Sequence, residues 1–535
     1  MPIERVLYNG NVITLADEIP RASAIAIERG RIVAVGGDDE VLSLATTDAI
    51  REDLAGRTVI PGLIDAHLHW QWTSSAMHAV DVFEVPSKAV ALERVAERVA
   101  ETPPGEWIRG HGWAQDLWPD KAFPTAADLD VIAPHNPVYL IGKSAHVAWV
   151  NSAALRLSGI TADTPNPHGG DLVRDTSGQP TGILLEAPAM NLVQGIIPKL
   201  TPDQIADQML VGQAKAHQQG LTAIHDLDDP DALAAFQILR ERGKLSLRVN
   251  KYINKPYFEA ALESGLRAGF GDDWIRIGGL KMFADGALGP RTAWMLDPYE
   301  GEPDNLGITV TEPAEMLDFA IRANLAGLPT AIHAIGDRAV REVLDIFEQV
   351  RATEAEHGIP REARRHRVEH VQIIHPDDVA RLAELDIIAS MQPLHATSDA
   401  TTADRYWGDR AALSYNARAQ LDAGAVLAFG SDSPIEPFDP FAGLHAAVTR
   451  QRPDGSLGEG WRTDACLTVD EALRAYTTGA AYAAGLEDRQ GRLKPGYYAD
   501  LVVLDADPYE IDPTQLHALT VIGTMVDGEW RYGGV

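Results

Sequence analysis

Residues that can hold a metal ion recur in this sequence at the ends of apolar segments. The first segment, residues 59–64, leads into His67 and His69. Side chains alternate between the two faces of a strand, so both imidazoles point the same way at its end. Two converging imidazoles are half of a tetrahedral metal site. The pair alone is a weak signal, and its meaning depends on residues later in the chain.

Further residues of ligand type end later apolar segments: Lys281, His333, His370 and Asp432. His333 and His370 are 37 residues apart, the length of one strand–helix unit. His370 and Asp432 are 62 residues apart, which leaves room for two units. Any one of these residues alone would be interpreted as a buried, hydrogen-bonded side chain. Together with His67 and His69 they make six such residues at the ends of predicted strands, and this set predicts a divalent metal centre.

The elements that position these residues alternate regularly from about residue 203. We predict helices over 204–219, 231–242, 338–351 and 376–385. We predict strands over 221–226, 245–249, 275–283, 329–333, 366–370, 387–392 and 425–432. The strand that begins at Val59 makes eight. Eight strands alternating with helices predict an α/β fold, a TIM-type (β/α)8 barrel with its active groups where the strands end.

The two ends of the chain have a different pattern, with short strands separated by turns. Residues 5–14 are interpreted as a hairpin about Asn9-Gly10. We predict a composite β-sandwich domain from residues 1–57 and 488–535, and a barrel from 58–71 and 205–487. Residues 72–204, rich in Trp, Pro and Gly, are predicted to form an inserted α+β subdomain near the active-site mouth.

Composition narrows the class of protein. The 535 residues are 45% hydrophobic and 23% charged, as in globular enzymes. The formal net charge of −31 argues against a nucleic-acid partner or an anionic membrane surface. No apolar run is long enough to span a bilayer, and the N-terminus does not resemble a signal peptide. The single cysteine, Cys466, excludes an intrachain disulfide and fits a reducing compartment. We therefore expect a cytoplasmic protein that acts on a small molecule.

The segments around the candidate ligands resemble the amidohydrolase superfamily. Within it they are similar to the YtcJ-like branch, which contains N-substituted formamide deformylase. The resemblance covers nearly the whole chain, and its most specific segments are 281–289 (KMFADGALG), 332–337 (IHAIGD), 368–370 (VEH), 430–434 (GSDSP) and 491–501 (GRLKPGYYADL).

The resemblance implies a role for each candidate ligand. His67, His69 and Asp432 would hold one metal, and His333 and His370 a second. Lys281, carboxylated on its amine, would bridge the two, because an ammonium has no lone pair and a carbamate offers two oxygens. The alternative is an unmodified Lys281 beside a single metal. Zinc suits this His-rich set, with manganese, iron and nickel as alternatives.

The implied chemistry is hydrolysis. A metal-activated hydroxide would attack a carbonyl, and Asp432 as general acid/base would pass the proton to the leaving nitrogen. We predict an amidohydrolase acting on carbon–nitrogen bonds other than peptide bonds. The alternatives are a cyclic-amide, ester or deaminating hydrolase on a one-metal site, and a non-catalytic metal-binding barrel. Related enzymes often associate, which favours a homodimer.

Substrate-binding candidates are less specific. His225 ends the second strand and either packs or contacts the substrate. Trp113 lies among several tryptophans of the insertion, which form either an aromatic pocket or a core. Asp285 and Arg291 follow Lys281 and either anchor a substrate carboxylate or brace their loop. Two further histidines are interpreted as ordinary loop or core residues: His146 and His395.

Overall fold

The computed structural model describes residues 3–83, 85–143, 147–167 and 170–535, so His146 lies outside the described residues. The chain divides into two compact units. One is Thr73–Gln208, and the other joins Met1–Trp72 to Met209–Val535. The second unit contains the candidate ligands.

Eight parallel strands form one sheet in the larger unit, and each lies next to its neighbours in chain order. They are β1 (Leu63–Leu68), β2 (Leu221–Asp226), β3 (Arg248–Asn254), β4 (Ile275–Phe283), β5 (Thr330–Ala334), β6 (Arg367–His370), β7 (Ile388–Met391) and β8 (Leu427–Phe429). The predicted TIM-type fold is confirmed.

Backbone hydrogen bonds join the two ends of this sheet at its carboxyl edge. The Asp432 amide donates to the His67 carbonyl at 2.7 Å, and the His69 amide donates to the Ser433 carbonyl at 2.9 Å. These bonds bring the segment after β8 against the end of β1. Residues separated by most of the chain therefore meet at one mouth.

Amphipathic helices follow the strands. In the longest of them, Asp337–His357, the buried residues Ala339, Val343 and Phe347 repeat every four positions, which turns one face to the barrel. Apart from the helices of the smaller unit, the other helices of eight or more residues between barrel strands or after β8 are Trp70–Met77, Pro202–Gln218, Pro230–Glu241, Pro313–Ala326, Ala400–Trp407 and Pro440–Thr449. Shorter ones are Phe258–Glu263, Pro393–Ser398, Ala417–Asp422, Val469–Arg474 and Ala480–Ala483.

Two elements differ in the structure from the bounds predicted from the sequence. The predicted strand 245–249 is displaced to Arg248–Asn254, because its polar residues are buried within the strand rather than ending it. Lys251, for example, is buried against Asp226. The predicted helix 376–385 is a 3-10 turn, Pro376–Asp378, followed by a short helix, Arg381–Glu384.

Strands from both termini form two further sheets. One contains Arg5–Tyr8, Ala24–Glu28, Arg31–Gly36 and Ile50–Asp53, and the other contains Asn11–Ile13, Arg21–Ala22, Thr58–Pro61, Leu501–Leu504, Val521–Val526 and Glu529–Gly533. Apolar residues of both sheets, among them Leu7, Ile25 and Met525, share one core. The two sheets are therefore packed as a sandwich.

The N-terminal hairpin prediction is wrong. Arg5–Tyr8 and Asn11–Ile13 belong to different sheets, and the Asn9-Gly10 turn connects them instead of pairing them. The first barrel strand also begins later than predicted, since Thr58–Pro61 pairs with Leu501–Leu504. Gly62 separates Thr58–Pro61 from β1, and a side chain at this position would meet Thr222 Oγ1 at 2.3 Å.

The smaller unit has its own mixed sheet and its own core. Its strands are Val80–Asp81, Ile108–Trp113, Val138–Gly142, Val147–Val150, Asp171–Arg174 and Pro180–Leu185, and its helices are Lys88–Glu101, Ala126–Asp130, Ser152–Leu157 and Glu186–Gln194. In the whole described part of the chain, no helix combines the length and the apolar character needed to cross a membrane.

Candidate metal centre

The candidate ligands lie at the carboxyl ends of β1, β4, β5 and β6 and just after β8. Three of them, His67, His370 and Asp432, each offer a ligand atom, and these atoms lie within 4.8 Å of one another. All three side chains are buried. The barrel thus brings together an imidazole from β1, an imidazole from β6 and a carboxylate from β8.

Two more candidates contact this group directly. His69 Nε2 lies 3.5 Å from Asp432 Oδ1. The His333 ring centroid lies 4.6 Å from that of His370. The histidines therefore form a continuous arc along the mouth, from β1 to β6 and β5.

The backbone is strained at two of the candidate ligands. His370 has a φ of 76° and Asp432 a φ of 58°, in the left-handed region that non-glycine residues rarely adopt. Each residue stands where a barrel strand has just ended. Strain of this kind costs about 1–3 kcal/mol and is found mostly where function fixes a side chain.

In three of the candidate histidines, Nδ1 contacts a side chain that is not itself a candidate ligand. His67 Nδ1 lies 2.5 Å from Glu369 Oε2, and His370 Nδ1 lies 2.7 Å from Gln392 Oε1. His69 Nδ1 faces Asp228 Oδ1 at 3.3 Å. Each contact favours the tautomer with its proton on Nδ1, which leaves the Nε2 lone pair for a cation.

His333 has the opposite arrangement. Its Nε2 lies 2.9 Å from the Gly286 carbonyl, which can only accept a hydrogen bond. The proton therefore sits on Nε2, and Nδ1 carries the free lone pair. Burial lowers the pKa of His333 to about 3, so the ring is neutral near pH 7.

Glu369 stands at the centre of a buried network. Its Oε2 bonds to His67 and also accepts from Arg367 Nη2 at 2.9 Å, and its Oε1 accepts from Arg367 Nε. Burial opposes the charge of the Glu369 carboxylate, yet the adjacent Arg367 holds its pKa well below the usual range. The Arg367–Glu369 pair thus fixes the orientation of His67.

Lys281 differs from the other candidate ligands in its surroundings. It is buried, and its Nζ has no hydrogen-bond partner among the described residues. The Nζ lies 4.7 Å from the centroid of the Phe283 ring. Burial lowers the pKa of Lys281 to about 8. A neutral amine is the form that reacts with carbon dioxide, so the environment suits the predicted carbamate, which stays a prediction.

Asp432 and His69 have opposite charges. Burial opposes the charge of Asp432, yet the facing His67 holds the pKa of this carboxyl well below its usual range. Burial also opposes the charge of His69, but its contacts with Asp228 and Asp432 raise the pKa of the ring to about 10. Positive charge is therefore favoured between the two carboxylates. Proton release from His69 would accompany the binding of a cation there.

The loop after β4 holds two of the predicted substrate-binding residues. Asp285 accepts hydrogen bonds from the amides of Trp294, Ile335 and Gly336 at 2.8–3.0 Å. These contacts favour the bracing alternative for Asp285. Arg291 is partly exposed, and its Nε lies 2.6 Å from Glu302 Oε1.

The other two substrate-binding candidates are buried. His225 Nδ1 accepts a hydrogen bond from Arg367 Nη1 at 3.0 Å, which links it to the Glu369 network. Trp113 packs against Trp118 and Trp149 in the core of the smaller unit, and its Nε1 donates to the Leu140 carbonyl. The core alternative accounts for every one of these Trp113 contacts.

Several residues of the site are not identifiable from the sequence patterns: Asp228, Arg367, Glu369, Gln392 and His395. The prediction of an ordinary histidine at His395 misses a contact, because its Nε2 lies 3.7 Å from Asp432 Oδ2. One signal is available for the Arg367–Glu369 pair. Two charged residues alternate in a short buried strand, so both face the barrel interior.

Comparison with known proteins agrees with this geometry. The profile of the amidohydrolase family matches residues 52–532. The chain belongs to the amidohydrolase family. Over 98% of the chain and 98% of the relative, it is 32% identical to N-substituted formamide deformylase of Arthrobacter pascens. It is 31% identical to YtcJ of Bacillus subtilis (strain 168), which is also named as an amidohydrolase, over 99% of both chains. The predicted superfamily and branch are confirmed.

A solved structure is also similar to this chain in fold and in sequence. The crystal structure of an uncharacterized metal-dependent hydrolase from Pyrococcus horikoshii OT3 superposes with a TM-score of 0.80 and 29% identity. The match covers 95% of this chain and 99% of the other. The amidohydrolase barrel and its additional domains are therefore similar over almost the whole length.

Proposed function

We propose that this amidohydrolase is a metal-dependent hydrolase that cleaves an amide-type carbon–nitrogen bond of a small molecule. The observation that carries the proposal is the group formed by His67, His370 and Asp432. Two imidazoles and a carboxylate at one point are a typical catalytic metal site. The metal-dependent hydrolase from Pyrococcus horikoshii and the deformylase from Arthrobacter pascens support the same class.

The residues present fit a divalent cation. His67 Nε2 is buried and lies 3.2 Å from Asp432 Oδ1, yet it makes no hydrogen bond to any described residue. His67 Nε2 and Asp432 Oδ1 are suited to share a cation, because Nδ1 of the same histidine already contacts Glu369. His67, His69 and Asp432 would hold one cation, and His333 and His370 would hold a second, with Lys281 as a further ligand in its carboxylated form. A bound divalent metal lowers the pKa of water and polarises a carbonyl.

Asp432 is the residue that we propose moves the proton. Its low pKa keeps the carboxylate ionised and ready to accept a proton. One oxygen faces His67, and the other faces His395. A carboxylate held on both sides can take the proton from water and return it to the leaving nitrogen, which needs protonation to depart as an amine.

A second candidate function is deamination on a one-metal site. It is favoured by the number of ligand groups that converge, since in the described residues three of them, His67, His370 and Asp432, lie within 4.8 Å of one another. On this alternative, Lys281 would remain an unmodified amine. Metal stoichiometry separates the two candidates.

The test combines metal analysis with a substrate panel. We expect about two equivalents of metal per chain, as in two-metal sites, and turnover of N-substituted formamides or other N-acyl amines. The panel also includes cyclic amides, esters and amino-substituted heterocycles. One equivalent of metal with release of ammonia would establish the second candidate. Bound metal without turnover of any compound would contradict both.

Asp432→Asn tests the proton transfer. We expect kcat to fall by about 10²–10⁴-fold, the usual contribution of a general acid–base group. Asp454→Asn is the control, because Asp454 is an exposed carboxylate that bonds only within its own turn. Equal rates for the two variants would exclude Asp432 as the proton carrier.

A further inference from the structure

A small cavity lies behind the ends of β6, β7 and β8, next to the candidate metal centre. Its lining includes His370, Gln392, His395, Ala447 and Arg450. We call it the Arg450 cavity. Its volume is about 20 Å³, enough for one or two groups the size of a water molecule.

Arg450 carries a buried charge, and no carboxylate of the described residues lies within ion-pair distance of its guanidinium. Its side chain is 4% exposed, Nε donates to the Trp461 carbonyl at 3.1 Å, and Nη1 donates to the Tyr415 carbonyl at 2.8 Å. Nη2 is buried without a hydrogen-bond partner among the described residues. The carbonyls are neutral, and the attraction of Asp464 and the Trp461 ring, whose centroid lies 5.1 Å from the guanidinium carbon, offsets the positive charge only in part, so its burial is costly.

The backbone at Arg450 adds to this cost. The helix Pro440–Thr449 ends at Arg450 with a φ of 57°, a conformation that favours glycine. A bulky arginine at such a position is retained against local strain. Because strain of this kind clusters at functional sites, it points to a role for the Arg450 side chain beyond ending the helix.

Gln392 supplies a second free donor to the same cavity. Its Oε1 accepts the proton of His370 Nδ1 at 2.7 Å, and this contact fixes the orientation of the amide. The Nε2 group is left as a donor, buried and without a partner in the described part of the chain. A guanidinium and an amide, both with unused N–H groups, thus line one small space.

His395 joins this space to the candidate metal centre. The same side chain lines the cavity and places Nε2 at 3.7 Å from Asp432 Oδ2. Gln392 makes a second connection through His370. An occupant of the cavity therefore lies against one candidate metal ligand, His370, and one side chain away from another, Asp432.

We propose that the Arg450 cavity binds a carboxylate group. Unused donors and a positive charge that is only partly offset call for an anion, and a carboxylate accepts hydrogen bonds through two oxygens that match a guanidinium. A water molecule would satisfy the donors but not the charge. The volume admits only the head group, so the rest of a larger ligand lies outside.

The binding of a carboxylate does not depend on the proposed function, but the source of that carboxylate does. Hydrolysis of an amide releases an acid, and that acid is one source. The other is a carboxylate carried by the substrate. Both place the same chemical group beside His370 and Gln392, and they differ in the kinetics they produce.

The first experiment measures binding without turnover. ¹³C-formate is titrated into the full chain, with and without metal, and followed by NMR in sodium chloride of constant ionic strength. We expect formate to bind both forms, and Arg450→Met to weaken binding at least tenfold, with Arg450→Lys less severe. Ala447→Val fills the cavity while leaving Arg450 in place, and should weaken binding as much as Arg450→Met.

Arg462→Gln is the matched control. Arg462 stacks on the same Trp461 ring, with its guanidinium carbon 5.5 Å from the ring centroid, but it is paired with Asp404 at 3.1 Å. Its variant should bind formate as the wild type does. If Arg450→Met does not fold, Arg450→Lys and Ala447→Val decide. Unchanged formate affinity in the folded variants overturns the proposal, as does binding that requires metal and persists without Arg450.

The second experiment identifies the source. Competitive inhibition of neutral-amide hydrolysis by formate or acetate, weakened in Arg450→Met, assigns the cavity to the acid product. A higher kcat/KM for an amide with a carboxylate than for its methyl ester, lost in the same variant, assigns it to the substrate. Arg450-dependent formate binding in a chain that hydrolyses no amide would refute the proposed function and leave this inference standing.

Discussion

The two sides of the candidate metal centre are built in different ways. On the side of β1 and β8, carboxylates surround the histidines: Glu369 holds His67, and Asp228 faces His69. On the side of β4 and β5, His333 bonds to a backbone carbonyl, and Lys281 has no polar partner among the described residues. The charged side has a site for a cation in its present state. On the neutral side, the side of β4 and β5, Asp285 Oδ1 lies 3.5 Å from His333 Nε2, but burial raises the pKa of this carboxyl to about 7, and its oxygens accept hydrogen bonds from three backbone amides. Its negative charge is therefore weaker than that of Glu369 or Asp228.

The difference indicates how the second half would be completed. A cation beside His333 needs an anionic ligand, and the carbamate of Lys281 would supply it. The charged side should therefore bind metal in any buffer, and the neutral side only when carbon dioxide is present. Substitutions on each side test whether the two sides differ in this way.

Removing the charge of Glu369 should have the largest effect. Glu369→Gln leaves Arg367 buried without its carboxylate, and we expect unfolding free energy to fall by about 3–5 kcal/mol. Loss of the contact to His67 should weaken metal binding by about 10–100-fold. Denaturant unfolding and metal titration measure the two effects.

Glu354→Gln is the matched control for Glu369. Glu354 is also buried between an arginine and a histidine, Arg351 at 2.7 Å and His366 at 3.2 Å, but neither is a candidate ligand. Its variant should lose stability and keep metal affinity. If both variants lost metal affinity equally, the effect on His67 would be indirect.

Lys281→Met should abolish binding of the second metal while leaving the first. Native mass spectrometry in bicarbonate should detect a gain of one carbon dioxide in the wild type and none in the variant. Lys251→Met is the comparison, because Lys251 is equally buried but its Nζ lies 2.7 Å from Asp226 Oδ2. An ammonium paired in this way does not react, so that variant should retain the adduct. An adduct in Lys281→Met would place the modification elsewhere.

The smallest expected effect is on pH dependence. In metal-free and carbon-dioxide-free protein, burial lowers the pKa of Lys281 from 10.5 to about 8. Between these values the unfolded chain binds more protons at this residue than the folded chain, so stability rises with pH across that window. Lys281→Met should lack this rise. A difference between the two proteins that is constant from pH 8 to pH 10.5 would show that the pKa is not lowered.

Much of the site was predictable because its signals are local. His67, Lys281, His333 and Asp432 each follow or end an apolar segment, and a polar residue at that position can be recognised without knowing the fold. Strand count and spacing then assign these residues to one mouth, since parallel strands end at the same edge. The less specific assignments were those without such a position. Trp113 is an example, because composition does not separate a pocket from a core.

The barrel and its candidate ligands could be predicted from the sequence, because strand periodicity and short motifs are local properties of the chain. The groups that hold those ligands became visible only in the folded structure. His67 and Glu369 are 302 residues apart and meet across the barrel, and His395 reaches Asp432 from another strand end. Such contacts depend on strand register and side-chain direction. In the same way, the sequence does not single out Arg450, whose buried Nη2 has no hydrogen-bond partner among the described residues of the folded chain.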